Sequence, residues 1–144
     1  DVSLLDAKSL HDLVAVFERP KVKMASLMCK IPEDEAYNPN SVKVVLDEKQ
    51  NAIYFSRSPI PFNRERHEAI FYWKHIGVYA YTRELLKEFT SWPKGHLEQI
   101  EMLEQLRLVE KGVQIRMVET THQAIAIDTK EDLDRARNFL KSIL

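Results

Sequence analysis

The hydrophobic pattern predicts an α/β protein in which a mixed sheet is flanked by helices, and three observations lead there. A helical pattern, DAKSLHDLVAVFER, runs directly into the apolar strand-like stretch VKMASLMC. Two short strand-like runs, SVKVVLD and AIYFSR, are joined by the polar EKQN, which predicts a hairpin. A long alternating run, YWKHIGVYAY, then gives way at Thr82 to the helical RELLKEF. Strands interleaved with helices imply layers around one core, and 144 residues with 44% hydrophobic content suffice for a single domain.

In the first helix, Leu10, Leu13, Val14 and Phe17 are predicted to form one apolar face. A helix leading into a buried strand is half of a strand-helix-strand crossover, so the preceding strand is expected to be absent. The chain begins at Asp1, and the expectation is that it is a piece of a longer protein. The prolines of SRSPIPF end strand pairing after the hairpin. Alternation in the next strand places Trp73, His75, Gly77, Tyr79 and Tyr81 on one face, with Tyr72, Lys74, Ile76, Val78 and Ala80 on the other. Thr82 is a good N-cap for the helix that follows. A further helix is predicted from about 96 to 111, ending where Gly112 can adopt the left-handed turn. VQIRMVE and AIAI read as strands, and an amphipathic helix is expected from about 130. There are no repeats or low-complexity segments.

The segment LEQIEMLEQLR, residues 97 to 107, poses a particular question. On one continuous helix, Glu98, Glu101, Glu104 and Gln105 share a stripe, opposite Ile100, Met102, Leu103, Leu106 and Val109. The positions four residues after the glutamates hold no cation, and only Arg107 stands three after Glu104. The stripe therefore faces either solvent or a hydroxyl-rich ligand.

Charge and composition exclude several classes. Twenty-one basic and 22 acidic residues leave a net charge of −1 with no basic block, which argues against nucleic-acid binding. Cys29 is the single cysteine, so an internal disulfide is impossible and a reducing, cytoplasmic setting is expected. No run of 18 apolar residues offers a membrane span. The three glycines, Gly77, Gly95 and Gly112, form no phosphate-cradling loop. The histidines lack metal-ligand spacing and no Gly-x-Ser-x-Gly elbow occurs, so zinc and hydrolase readings fall away.

Asp128 ends AIAI, at the carboxyl end of a strand where open α/β sheets build their sites. It could hold magnesium, or with Thr129 and Asp132 simply cap the last helix. His75 and Tyr79 flank Gly77, whose missing side chain would leave a shallow recess suited to a sugar; alternatively both are ordinary half-buried strand residues. Arg57 lies where a strand meets a proline-stiffened turn, a position for forking a carboxylate or for an ordinary surface arginine.

The stretches YNPNSVKVVLD, YFSRSPIPF, KHIGVYAYTRELL, LEQIEMLEQLR and IDTKEDLDRAR, in this order, closely resemble the C-terminal part of 3-deoxy-manno-octulosonate cytidylyltransferase, or CMP-Kdo synthetase. The likeness covers nearly all of the chain after about residue 22 and fits sialic-acid cytidylyltransferases less well. It implies the C-terminal, sugar-binding and dimer-forming part of a nucleotide-diphospho-sugar-transferase-like (Rossmann-like) fold, occupying residues 1–144 and lacking the N-terminal nucleotide-binding half.

The activity implied is joining CTP to the acid sugar Kdo, giving CMP-Kdo and pyrophosphate for bacterial lipopolysaccharide, in a magnesium-dependent homodimer. By the same resemblance, Asp128 looks like one of two metal-binding aspartates, and Arg57, His75, Tyr79, Glu104 and Gln105 look like sugar contacts. Glu98 and Glu101 would simply be solvated. The family's CTP loop and first metal aspartate would precede residue 1, so this chain alone would bind CTP poorly and be inactive. QAIAID also lacks the glycine-containing turn usual before the aspartate, and NRERHEAIFYW is shorter than in relatives. Two other readings stand beside this one: a sister enzyme for 8-amino-Kdo, and a non-catalytic dimerisation module.

Overall fold

A computed structural model describes residues 2–4, 7–19, 21–121 and 125–127. Asp128, with Thr129 and Asp132, His122 and the helix expected from about 130 lie outside the described residues. Five strands form a mixed sheet in the order β4-β3-β5-β2-β6. These are β2 (Met24–Pro32), β3 (Lys43–Leu46), β4 (Ala52–Ser56), β5 (Phe71–Tyr81) and β6 (Arg116–Glu119). Only β2 and β6 run parallel; the other pairs are antiparallel, as the predicted α/β class with a mixed sheet requires. A short β1 (Val2–Leu4) pairs antiparallel with β7 (Ile125–Ile127) in a separate two-stranded sheet. A strand therefore does precede the first helix, contrary to the expectation, but it does not join the main sheet beside β2.

Helices cover both faces of the sheet. On one face, α1 (Ala7–Ala15) and a 3-10 turn (Val16–Glu18) pack Leu13 against Ala25, Leu27 and Ile76. Val14, assigned to that apolar face by periodicity, is 63% exposed. Its place is taken by Ser9, one helical turn before Leu13, whose hydroxyl meets Thr120 Oγ1 at 2.5 Å. Beyond β2 comes the single turn α2 (Glu33–Ala36). On the other face, α3 (Arg83–Ser91), α4 (His96–Glu101) and α5 (Leu106–Glu110) close over Met24, Met28, Phe55 and Met117. Strand β2 is buried on both faces, which explains why its sequence is continuously apolar rather than alternating.

The hairpin forms as predicted, with Asp47 Oδ1 accepting from the Lys49 and Asn51 N–H groups at its turn. Thr82 Oγ1 accepts from Leu85 N at 3.3 Å and so caps α3. Gly112 adopts φ +76 after α5, the left-handed position assigned to it.

The single helix predicted over 96 to 111 is instead broken in two. Met102 stands in the left-handed region at φ 56, ψ 48, a conformation costing a non-glycine residue about 1–2 kcal/mol. The Leu103 N–H reaches back to Glu98 O at 3.2 Å, closing a Schellman-type end on α4. The break turns Leu103, Leu106 and Leu108 into the core and leaves Ile100 and Met102 exposed. Burying three leucines at roughly 1.5–3 kcal/mol each outweighs the strain at one residue.

Candidate functional site

The break in the helix generates the site. Residues 102–105 turn over the end of β5, which brings Gln105 down onto His75 and Tyr79. The Tyr79 hydroxyl donates to Gln105 Oε1 at 3.3 Å, and Gln105 Nε2 lies 3.4 Å from His75 Nδ1. On its other side, His75 Nε2 lies 2.8 Å from Ser26 Oγ. The His75 ring also meets Phe55 edge-on at 4.9 Å and Tyr79 at 5.4 Å.

His75 is buried, and burial alone lowers its pKa to about 3, so the imidazole is neutral near pH 7. Burial likewise pushes the Tyr79 hydroxyl up, with Tyr81 and Glu104 adding to the shift, and the phenol keeps its proton. Glu104 is exposed on the same turn as Gln105, and its charge acts on both Tyr79 and Tyr81.

The recess expected at Gly77 is not there. The β2–β5 register shifts between Ser26 and Leu27, which pair with Tyr79 and Ile76, so Gly77 and Val78 are extra residues in a bulge. Two extra residues preserve the alternation of faces, which is why His75 and Tyr79 still stand together. Their rings meet rather than flank a gap. Gly77 is exposed, and a Cβ there would touch nothing within 4 Å.

Arg57 sits at the predicted junction but does not fork a carboxylate. Its Nε donates to Glu101 O at 2.8 Å, and its terminal nitrogens donate to Pro39 O at 2.9 Å and Met102 O at 3.2 Å. The Glu101 and Met102 carbonyls are the ones left without helical partners where α4 stops, so Arg57 clamps the break that carries Glu104 and Gln105. The buried Lys43 amine holds the same region by donating to the carbonyls of Asn38, Ser41 and Arg57. Sequence periodicity could not place the Arg57 group, because it acts on carbonyls 18, 44 and 45 residues away.

Glu98 and Glu101 are not solvated. Glu98 is buried and accepts a two-pronged bond from Arg107, with Nε to Oε1 at 2.8 Å and Nη2 to Oε2 at 2.7 Å. The Arg107 bonds hold the Glu98 carboxyl below the usual carboxylate range against the opposing effect of burial. Arg107 also lies over the Phe89 ring, 4.5 Å from its centroid. Burial pushes the Glu101 carboxyl up, but bonds from Ser56, the Arg57 N–H and Tyr54, together with the Arg57 charge, bring it below its ordinary value. The cation partner of Glu98 is therefore nine residues away, not four, and the Glu101 carboxylate is held instead by the Arg57 backbone N–H, 44 residues away.

Two adjoining clefts of about 450 and 340 Å³ open at Arg19, Lys49 and Arg116 and share no residue with this site. No group of three or more His, Cys, Asp or Glu among the described residues could hold a metal ion. Nor is any described helix long and apolar enough to cross a membrane.

Comparison with known proteins gives a consistent picture. A family model described as cytidylyltransferase matches residues 1–115. The 3-deoxy-manno-octulosonate cytidylyltransferase of Flavobacterium johnsoniae is 49% identical over 147 residues, spanning 99% of this chain and 60% of the relative. That of Syntrophus aciditrophicus is 48% identical over 124 residues, spanning 85% of this chain and 50% of the relative. A solved structure of CMP:2-keto-3-deoxy-manno-octonic acid synthetase complexed with CTP matches with a TM-score of 0.83 at 37% identity. That match covers 98% of this chain and 58% of the other. The chain thus spans between 50% and 60% of the length of these relatives.

Proposed function

The chain belongs to the cytidylyltransferase family, and from that premise we propose that the whole protein joins CTP to 3-deoxy-manno-octulosonate (Kdo). The observation that carries the reading is the convergence of Tyr79, Gln105 and His75 with Glu104 exposed beside them. A phenol and a carboxylate on one surface rim, with the buried Gln105 amide bonded behind the phenol, offer both donors and acceptors to a polyhydroxylated acid sugar. His75 is buried behind them and supports rather than lines that rim. Arg57 contributes by holding the turn.

In the proposed reaction the sugar's anomeric hydroxyl oxygen forms a bond to the α-phosphorus of CTP. The bond from that phosphorus to the bridging oxygen breaks, pyrophosphate leaves, and the hydroxyl proton passes to solvent. Positioning by the rim would convert an encounter of two solutes into an intramolecular-like step. By the family resemblance Asp128, which lies outside the described residues, would hold a magnesium ion, and that ion would supply neutralisation of the charge growing on the phosphate oxygens. The same reading makes the protein a cytoplasmic homodimer supplying CMP-Kdo for lipopolysaccharide.

The test is pyrophosphate release from CTP, Kdo and magnesium by the full-length gene product. Release that depends on Kdo is expected, with Glu104→Ala and Gln105→Ala raising KM for Kdo more than for CTP. Equal effects on both substrates, or no release, would overturn the assignment.

A further inference from the structure

Ser26 was singled out by nothing in the sequence, yet it is buried at the one irregularity in the β2–β5 pairing. The bulge at Gly77 and Val78 turns two carbonyls onto its hydroxyl: Val78 O at 2.8 Å and Ile76 O at 3.2 Å. A carbonyl can only accept, so the single hydroxyl hydrogen goes to this pair. Toward His75 Nε2, at 2.8 Å, Ser26 must therefore accept, and Nε2 must carry the imidazole hydrogen.

The consequence passes along the chain of bonds. With its hydrogen on Nε2, neutral His75 offers only a lone pair at Nδ1, which takes an N–H from Gln105 Nε2. That fixes which way round the Gln105 amide stands and aims Oε1 at the Tyr79 hydroxyl. Tyr79, which is half-buried, thereby presents oxygen lone pairs to the rim, with the buried Gln105 amide holding its hydrogen from behind. The other tautomer would set Nδ1–H against the amide nitrogen and force the amide to flip, reversing the polarity of the Tyr79 hydroxyl.

We propose that Ser26 is a positioning residue which, by fixing the His75 tautomer and through it the Gln105 amide, sets the donor or acceptor polarity that Tyr79 offers to a sugar's hydroxyls. The choice of sugar as ligand rests on the function proposed above, whereas the tautomer does not.

The two parts are separated in one experiment on full-length protein labelled with ¹⁵N-histidine. His75 is assigned by loss of its signals in His75→Gln, and affinities for Kdo and CTP are measured by calorimetry. Wild type should show the Nε2–H tautomer alone. Ser26→Ala should populate Nδ1–H and weaken Kdo binding by about tenfold, the order of one or two misdirected hydrogen bonds, with CTP affinity unchanged. Ser26→Thr keeps the hydroxyl and should retain both the tautomer and the Kdo affinity. A Ser26→Ala protein that keeps the Nε2–H signal overturns the proposal, as does one with unaltered Kdo affinity while Gln105→Ala weakens it. If Gln105→Ala leaves Kdo affinity intact, the sugar-site reading fails, and the tautomer signals still decide the role of Ser26.

Discussion

Protonating His75 provides a quantitative test of the packing around it. Its pKa is 6.5 when exposed in the unfolded chain and about 3 in the fold, through burial. Below pH 6.5 the unfolded chain therefore takes up a proton that the native protein refuses, so stability falls as pH falls through the window from 6.5 to about 3. At pH 5 the unfolded state is favoured by about 1.5 pH units, each worth about 1.4 kcal/mol, giving a loss of about 2 kcal/mol relative to pH 7.

Urea unfolding of the full-length protein at pH 7, 6 and 5 would be compared with His75→Gln, which carries no titrating ring. Glu98 and Glu101 do not confuse this window, because their carboxyls are held below the usual 4.5 and lose their contribution only at lower pH. The wild-type minus variant difference should shrink by about 2 kcal/mol between pH 7 and pH 5. Parallel curves would show that the ring accepts a proton in place, and the tightly enclosed, uncharged surroundings described for it would be wrong.

Three further outcomes follow from the same geometry. Arg107→Met should destabilise by about 3–5 kcal/mol, since it leaves the Glu98 carboxylate buried without its fork. Adding Glu98→Leu should recover much of that loss in denaturant titration, and additive losses would contradict a buried pair. Arg57→Ala should release the Glu101 and Met102 carbonyls and speed amide exchange at 102–105, with unchanged exchange there refuting the clamp. In Gly95→Ala the new Cβ would collide with the Glu110 carboxylate, which also accepts from Leu97 N. Moving that flexible group away should cost about 1 kcal/mol through the lost cap, a penalty that Glu110→Ala should render non-additive in thermal melts.

Local chemistry made much of the fold legible. The hairpin at Asp47, the cap at Thr82, the turn at Gly112 and the apolar β2 each depend on residues close in sequence. The grouping of His75, Tyr79 and Gln105 was reached through resemblance to a family and not through periodicity, which is blind to a contact 30 residues apart.

What misled periodicity was the segment from 96 to 111. Its spacing fits a continuous helix, and nothing within four residues of Met102 announces a left-handed turn. By itself the sequence determined the layered α/β class, the strand order of polarity and the family, because alternation and capping are set by neighbours on the chain. Only the tertiary structure decided that the helix breaks, that Glu98 is buried with Arg107, and that Ser26 faces His75. Those outcomes come from satisfying buried polar groups and leucine packing across distant segments, and a carbonyl or carboxylate does not record in its own neighbourhood which remote donor will reach it.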